Sequence, residues 1–246
     1  MNIYKTAEVA RIIGIHPNTV RLYEELGLIP KPERQVNGYR VFTDFHIEQF
    51  RLARIAFQIE VLQNGLRKKI VEMVKISATG DFDKALNLTN EYLLQVQQER
   101  NNAEEAIEIV KQLLSSKPQK DILSLKRKEA SEYLKISTDT LRNWEMNGLL
   151  SVKRKENGYR MYRDEDIRRL KIIRSLRCAN YSLEAILRML NELSSNPNIN
   201  IKEALNTPKK NENIISVCDK LISSLKEAES NAKIVISRLQ YMKTKF

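Results

Sequence analysis

The chain is poor in the residues that close disulfides, hold metals or interrupt helices. Its 246 residues include 2 Cys, 2 His, 7 Gly, 6 Pro and 1 Trp. Two cysteines far apart, Cys178 and Cys218, make no disulfide framework. Soft-metal sites combine several thiolates, and Cys178 has no Cys or His near it in sequence. The histidines, His16 and His46, lie far from both cysteines, and there is no P-loop, no His-Glu-x-x-His and no paired-glycine fingerprint. An enzyme, a metal centre and a cofactor are therefore not expected. No apolar run approaches the ~20 residues needed to cross a bilayer. The opening Met1-Asn2-Ile3-Tyr4-Lys5 lacks the basic start, apolar stretch and cleavage site of a signal peptide. A cytoplasmic chain with no membrane partner is the expectation.

What is present is charge and helix-forming sequence. Charged residues make up 30% and hydrophobic ones 42%, the balance of a folded protein. Stretches rich in Leu, Ile, Glu, Lys and Ala, with little Gly or Pro to break them, predict a mainly α fold. The length suits about two domains. Lys and Arg outnumber Asp and Glu by 42 to 31, a net charge of +11. That excess suits a polyanionic partner such as nucleic acid, although ribosomal and membrane-surface proteins share it.

The chain repeats itself, and this organises everything else. Residues 7–40 can be laid over 128–160, so that Thr19, Arg21, Glu24, Gly27 and Leu28 meet Thr140, Arg142, Glu145, Gly148 and Leu149. Asn37-Gly38-Tyr39-Arg40 then meets Asn157-Gly158-Tyr159-Arg160, and Asp44 and Ile47 meet Asp164 and Ile167. Further on, Ala85-Leu86-Asn87 resembles Ala204-Leu205-Asn206. Each half is one module, and the polar segment between them reads as a linker.

Within a module, the first helix is expected to start at Thr6 as N-cap and stop at Gly14, with Val9, Ile12 and Ile13 facing the core. Pro17 fits the first turn of a second helix. In the other half Ser137 is the expected N-cap and Asp139 complements the helix dipole. Gly27 and Gly148 end these second helices, and two short helices joined by a tight turn form a helix-turn-helix. Asn-Gly between extended residues predicts a hairpin with a type I′ turn, presenting Arg40 and Arg160 outward as the tip of a wing. One further helix should run from Asp44 to about Ile70, and another from Asp164 to about Leu190. Each module then ends in a long helix with heptad spacing: Leu93, Arg100, Ile107 and Leu114 beside Val96, Ala103 and Val110, and Cys218, Leu225, Ala232 and Leu239 beside Ile214, Leu221, Ala228 and Val235. The expected domains are residues 1–78 (first winged unit), 82–116 (first coil), 117–123 (linker), 124–195 (second winged unit) and 200–246 (short helix and second coil).

Thr19-Val20-Arg21-Leu22-Tyr23-Glu24, then Gly27-Leu28, then Gly38-Tyr39-Arg40 and a coiled-coil helix resemble the MerR family of bacterial regulators. The resemblance covers nearly the whole chain, twice. The second copy departs from it with Asn143 and Trp144. It implies two winged helix-turn-helix domains, each followed by a coiled-coil helix, with the coils pairing antiparallel. It also implies promoter DNA as partner, with RNA polymerase acting on the same promoter, and activation by bending and untwisting. Family-like proteins are homodimers. Here the end of the first coil is tied to the second unit by some 8–10 residues, which reach at most roughly 30 Å. One chain imitating the dimer is therefore preferred, the alternative being a homodimer of tandem chains with four binding units.

The second helix of a helix-turn-helix enters the major groove. On that basis His16, Asn18, Thr19 and Leu22 face bases in one half, and Thr138, Asp139, Thr140 and Asn143 in the other. Arg21 and Arg142 fall where the family's arginine meets phosphate or base. Tyr23 and Trp144 are assigned to the DNA backbone, with core packing the competing reading for Trp144. Wing residues Tyr39, Arg40, Tyr159 and Arg160 are assigned to flanking phosphates or the minor groove, with a wing-core role the competing reading for the tyrosines. Cys218, at a seam position, reads as a small buried hydrophobe in preference to a thiol sensor. Two different reading helices predict two unlike half-sites. From Lys5 to Arg54 eight basic residues face six acids, whereas from Lys126 to Arg177 fifteen face eight, so the second unit should supply most salt-dependent affinity. A promoter-specific regulator is preferred, and an architectural protein without strong sequence preference is the alternative. No residue pattern identifies a small-molecule effector.

Overall fold

Helix α1 (Thr6–Ile13) shows how local sequence sets the first element. Its N-cap is Lys5, one residue before the expected Thr6, because the carboxylate of Glu8 reaches back to the Lys5 N–H at 2.7 Å. Gly14 closes the helix at φ 71°, a left-handed position that glycine adopts without steric cost. The equivalent place in the second repeat is taken by Lys135 at φ 52°. Helix α1 buries Val9 and Ala10, whereas Ile12, expected in the core, lies 41% exposed. Its helical phase turns Ile12 off the face that Val9 and Ile13 share.

The computed structural model describes residues 2–58, 65–115, 124–152, 160–196, 198–207 and 220–246. It divides into two compact units, Met1–Gln98 with Leu225–Phe246, and Glu99–Ser224. The expected linker 117–123, Tyr159, Ile214 and Cys218 lie outside the described residues.

In the first unit, α2 (Pro17–Glu25) starts with Pro17 at N1 and with the His16 ring accepting from Asn18 N–H at 3.2 Å. Strands β1 (Ile3–Tyr4), β2 (Glu33–Arg34) and β3 (Arg40–Thr43) form a small antiparallel sheet with β3 in the middle. The wing turn differs from the expected type I′. Gly38 N–H bonds Gln35 C=O at 2.8 Å, Gln35 N–H bonds Tyr39 C=O at 2.9 Å, and only Gly38, not Asn37, has positive φ. This is a three-residue loop, a tight turn through Val36-Asn37 closed by a left-handed glycine. Val36 therefore stands fully exposed at the tip.

The expected single helix after the wing is two helices, α3 (Asp44–Ala56) and α4 (Leu66–Ala78), with Gly65 at φ 78° preceding the second. The core packs Val9, Val20, Ile29, Phe42, Ile47 and Phe50, with Tyr23 stacked on Phe50. Gln49, fully buried on α3, ties the parts together. Its amide donates to the Leu28 carbonyl (3.0 Å) and the Val74 carbonyl (2.8 Å), and its oxygen accepts from Ser77 (2.8 Å).

The long helix α5 (Phe82–Ser115) lies partly in each unit, as does α11 (Leu221–Lys245). Within the first unit the two run antiparallel. Lys243 pairs with Asp83, and Gln97 donates to Glu229 at 3.2 Å, so fourteen residues separate the two contacts along each helix. Ala228, Ala232, Val235 and Leu239 are buried, as the heptad spacing required. Arg238 of α11 reaches Glu48 of α3 at 3.1 Å, and Phe246 packs on Phe45.

The second unit has the matching order: β4 (Ser124–Lys126), α6 (Arg127–Leu134), α7 (Thr138–Met146), β5 (Met161–Arg163), α8 (Asp164–Cys178), α9 (Leu183–Ser195) and α10 (Ile201–Asn206). Here too one expected helix is two. Asn180 takes φ 67°, and Ser182 caps α9 by accepting from Ala185 N–H at 2.9 Å. Arg168 of α8 donates to the carbonyls of Leu113 (2.5 Å) and Leu114 (2.7 Å) at the end of α5. A cation at the C-terminus of a helix satisfies both its orphan acceptors and its dipole. Farther along, α5 receives Asn180 on Glu99 (3.1 Å) and Lys202 on Glu104 (3.4 Å).

Candidate nucleic-acid interface

In the first unit, α2 leaves one face to solvent. His16, Asn18 and Arg21 are exposed, Thr19 is half-buried and Leu22 is 47% exposed. Arg21 sits beside Asn18, its guanidinium 3.4 Å from the amide oxygen. Val20, one position from Thr19 and Arg21, turns inward and is fully buried. Tyr23 is half-buried against Phe50, and burial raises its hydroxyl above the ordinary tyrosine range, so it stays a neutral donor.

In the second unit, α7 begins at Ser137, whose hydroxyl accepts from Thr140 N–H at 3.0 Å. Thr138, Asp139, Arg142 and Asn143 are exposed and Thr140 is half-buried. The same face is thus free in both helices, with different side chains on it.

Trp144 takes the core position that competes with its assignment to the DNA backbone. Only 4% of it is exposed, and it packs in the core of the second unit with Leu141 as its buried neighbour on α7. A bulky ring takes this inward position where the first repeat has the smaller, half-exposed Tyr23.

The wing arginines also differ from expectation. Arg40 is not at the tip but on β3, with its guanidinium 2.5 Å from the carboxylate of Glu24 on α2. Arg34 of β2 approaches the same carboxylate at 3.7 Å. Arg160 lies 3.3 Å from Glu145 on α7. In a hairpin closed by the three residues Val36–Gly38, Arg40 is the second residue beyond the loop, paired across the strands with Arg34, on the strand face that looks at α2. Tyr39 does remain outward, 68% exposed beside the tip.

Glu24 and Glu145 are the residues that the sequence reading passed over. Each lies on the reading helix with its side chain largely buried, Glu24 holding the wing arginines Arg34 and Arg40 and Glu145 holding Arg160 of the wing and Arg127 of α6. The signal was available, since both were matched in the repeat, but an acid in a DNA-facing helix carried no obvious task. The two hubs are built differently. Around Glu145, Arg127 approaches at 2.7 Å and the Tyr162 hydroxyl donates to the carboxylate. The corresponding positions in the first repeat are Thr6 and Phe42, which can do neither. Burial and the bond to Glu145 push the Tyr162 hydroxyl up to about 12, which keeps it a donor. Arg127 is held above its ordinary value by Tyr162 first and Glu145 second. The clamp fixes the angle between reading helix and wing while leaving each arginine part of its donors: the Arg40 and Arg160 side chains keep 22% and 31% of their surface in solvent.

The reading helices are also held from behind. In the first unit Gln49 grips the Leu28 carbonyl just past α2. In the second, Arg169 grips the equivalent Leu149 carbonyl at 2.6 Å, with burial lowering the Arg169 pKa. Among the described residues no group of three or more His, Cys, Asp or Glu is placed to hold a metal ion, and no helix is long and apolar enough to cross a membrane.

Comparison with known proteins places two matches on the two winged units. A family described as "MerR family regulatory protein" matches residues 5–42, and one described as "MerR HTH family regulatory protein" matches residues 125–193. The HTH-type transcriptional regulator CueR of Escherichia coli O157:H7 is 42% identical over 59 residues, 24% of this chain and 42% of that protein. The mercuric resistance operon regulatory protein of Bacillus cereus is 31% identical over 65 residues, 26% of this chain and 49% of that protein. The chain thus spans less than half the length of these relatives. No solved structure matches.

Proposed function

This chain carries two MerR-family units, and from that premise we propose that it is a sequence-specific double-stranded DNA-binding transcription regulator working as a single-chain pseudo-dimer. The relatives that match are named as regulators of transcription or of an operon. One observation carries the single-chain reading: each compact unit is completed by part of a long helix belonging to the other repeat. In the first, Arg238 of α11 and Phe246, the residue after it, fasten to α3. In the second, the end of α5 is capped by Arg168 of α8. The antiparallel register of α5 and α11 in the first unit supports the same reading.

The reading helices would lie in successive major grooves with their N-terminal halves over base edges. His16, Asn18, Thr19, Arg21 and Leu22 would read one half-site. Thr138, Asp139, Thr140, Arg142 and Asn143 would read the other. The side chains differ, so the operator has two unlike halves instead of a palindrome. Tyr39, Arg40 and Arg160 would hold flanking phosphates, the arginines from positions preset by Glu24 and Glu145. Promoter distortion follows if the two helices engage both halves at once.

Selection from random duplex DNA at about 150 mM salt tests this. The expected product is one strong motif with two unlike halves. A palindrome would indicate paired chains using one unit each. DNA bound with nothing enriched would replace the regulator by an architectural protein.

A further inference from the structure

A cavity of about 740 Å³ lies within the second unit, walled by the end of α5, by α6 and by α8. Its volume falls in the range of small-ligand sites, roughly 300–1,000 Å³. The wall is divided by chemistry. Ile109, Leu113 and Tyr133 offer apolar surface, with Ile109 40% and Tyr133 48% exposed despite lining a recess. Opposite them α8 presents Lys171 and Arg174, one helical turn apart. The Lys171 ammonium sits over the Tyr133 ring at 5.1 Å, and among the described residues Arg174 has no carboxylate partner. One acid, Glu105, also borders the cavity.

We propose that this cavity binds a small amphipathic organic anion. Its aromatic or aliphatic body would lie against Ile109, Leu113 and Tyr133, and its carboxylate or sulfonate would bridge Lys171 and Arg174. Two cations with one compensating acid leave an excess of positive charge at the polar end. A guanidinium that no carboxylate occupies is an open bidentate donor to an oxyanion. The site also reaches the reading helix. Arg174 and Cys178 line a neighbouring cavity of about 560 Å³ whose other wall includes Ser137, Asp139, Thr140 and Asn143 of α7. A ligand that draws Arg174 into the first cavity withdraws it from the α7 side. This last step rests on the DNA-binding reading; the binding itself does not.

The test uses the full chain and 1-anilinonaphthalene-8-sulfonate, an aromatic sulfonate of the proposed class, with no DNA present. Fluorescence titration should saturate at one equivalent. Bound probe should slow alkylation of Cys178, an exposed thiol on the cavity wall, as mapped by peptide mass spectrometry. Arg174→Gln should weaken binding about tenfold, and Arg174→Lys, which keeps the charge, should restore most of it. Equal affinity in Arg174→Gln with an unchanged melting temperature overturns the proposal. So does unprotected Cys178, which puts the probe elsewhere, or the absence of saturable binding. Loss of DNA binding alone would leave these results untouched.

Discussion

Replacing Gln49 by Leu removes a fully buried hydrogen-bonding group while nearly conserving volume, and the cost can be worked bond by bond. The Leu28 carbonyl, just past the reading helix α2, loses its 3.0 Å partner in the core. Stranding one buried carbonyl costs about 1–3 kcal/mol. The bonds to Val74 and Ser77 are less costly, because both residues lie within α4 and the Ser77 hydroxyl can turn to a helix carbonyl. Their loss is worth about 0.5–1.5 kcal/mol each, and the apolar leucine returns about 1 kcal/mol by burial. The net destabilisation is about 1–5 kcal/mol, or roughly 5- to 4,000-fold in amide-exchange protection. Hydrogen-exchange mass spectrometry should find that loss in peptides from α2, α3 and α4, with those from α7, α8 and α9 as internal reference. DNA affinity should fall with it, since the Leu28 carbonyl positions α2. A loss under about 0.5 kcal/mol, the range of an ordinary surface substitution, would refute the reasoning. So would a loss spread evenly over both units.

Three further outcomes are expected. Burial holds the His46 imidazole below its ordinary pKa, against a weaker opposite influence of the Pro30 carbonyl. The unfolded chain therefore binds the proton first, and stability present above about pH 6.5 is lost as pH falls through the folded value. His46→Gln should flatten the fall in melting temperature on acidification, and an unchanged slope would remove His46 as its cause. Trp144→Ala should destabilise the second unit by about 3–5 kcal/mol, whereas Trp144→Phe should keep DNA affinity; loss of affinity in Trp144→Phe with no change in melting temperature would put the indole on DNA after all. Arg160→Ala should weaken DNA binding more than Arg40→Ala and lower the salt slope by about one; equal losses in a titration would end the asymmetry between the units.

The repeat carried most of the fold. Matching Gly27-Leu28 to Gly148-Leu149 and the heptads of the two long helices located the elements that position the reading helices, because these depend on short-range periodicity. What was not legible depended on packing or on a single dihedral. Asn37-Gly38 signalled a hairpin, but one positive φ instead of two widened the loop to Val36–Gly38, and Arg40, two residues past Gly38, lies on the strand beside Glu24 and not at the tip. The run from Asp44 kept helical spacing across a break that only Gly65 marked, and Asn180 did the same in the second repeat. Ile12 was misplaced by phase alone. At the site, the exposed face of α2 and α7 followed from the motif. The clamps of Glu24 and Glu145 did not, since they join residues on different elements that sequence spacing does not bring together. The paired differences Thr6 to Arg127 and Phe42 to Tyr162 became readable only once both were seen on one carboxylate.

The central claim is that one chain supplies both halves of the DNA-binding unit. Light scattering on the purified complex with a selected duplex measures this directly. The mass of the complex should exceed that of the duplex by 28.7 kDa, one chain. An excess of about 57 kDa, twice the chain mass of 28.7 kDa, would contradict it and make the working unit a pair of chains.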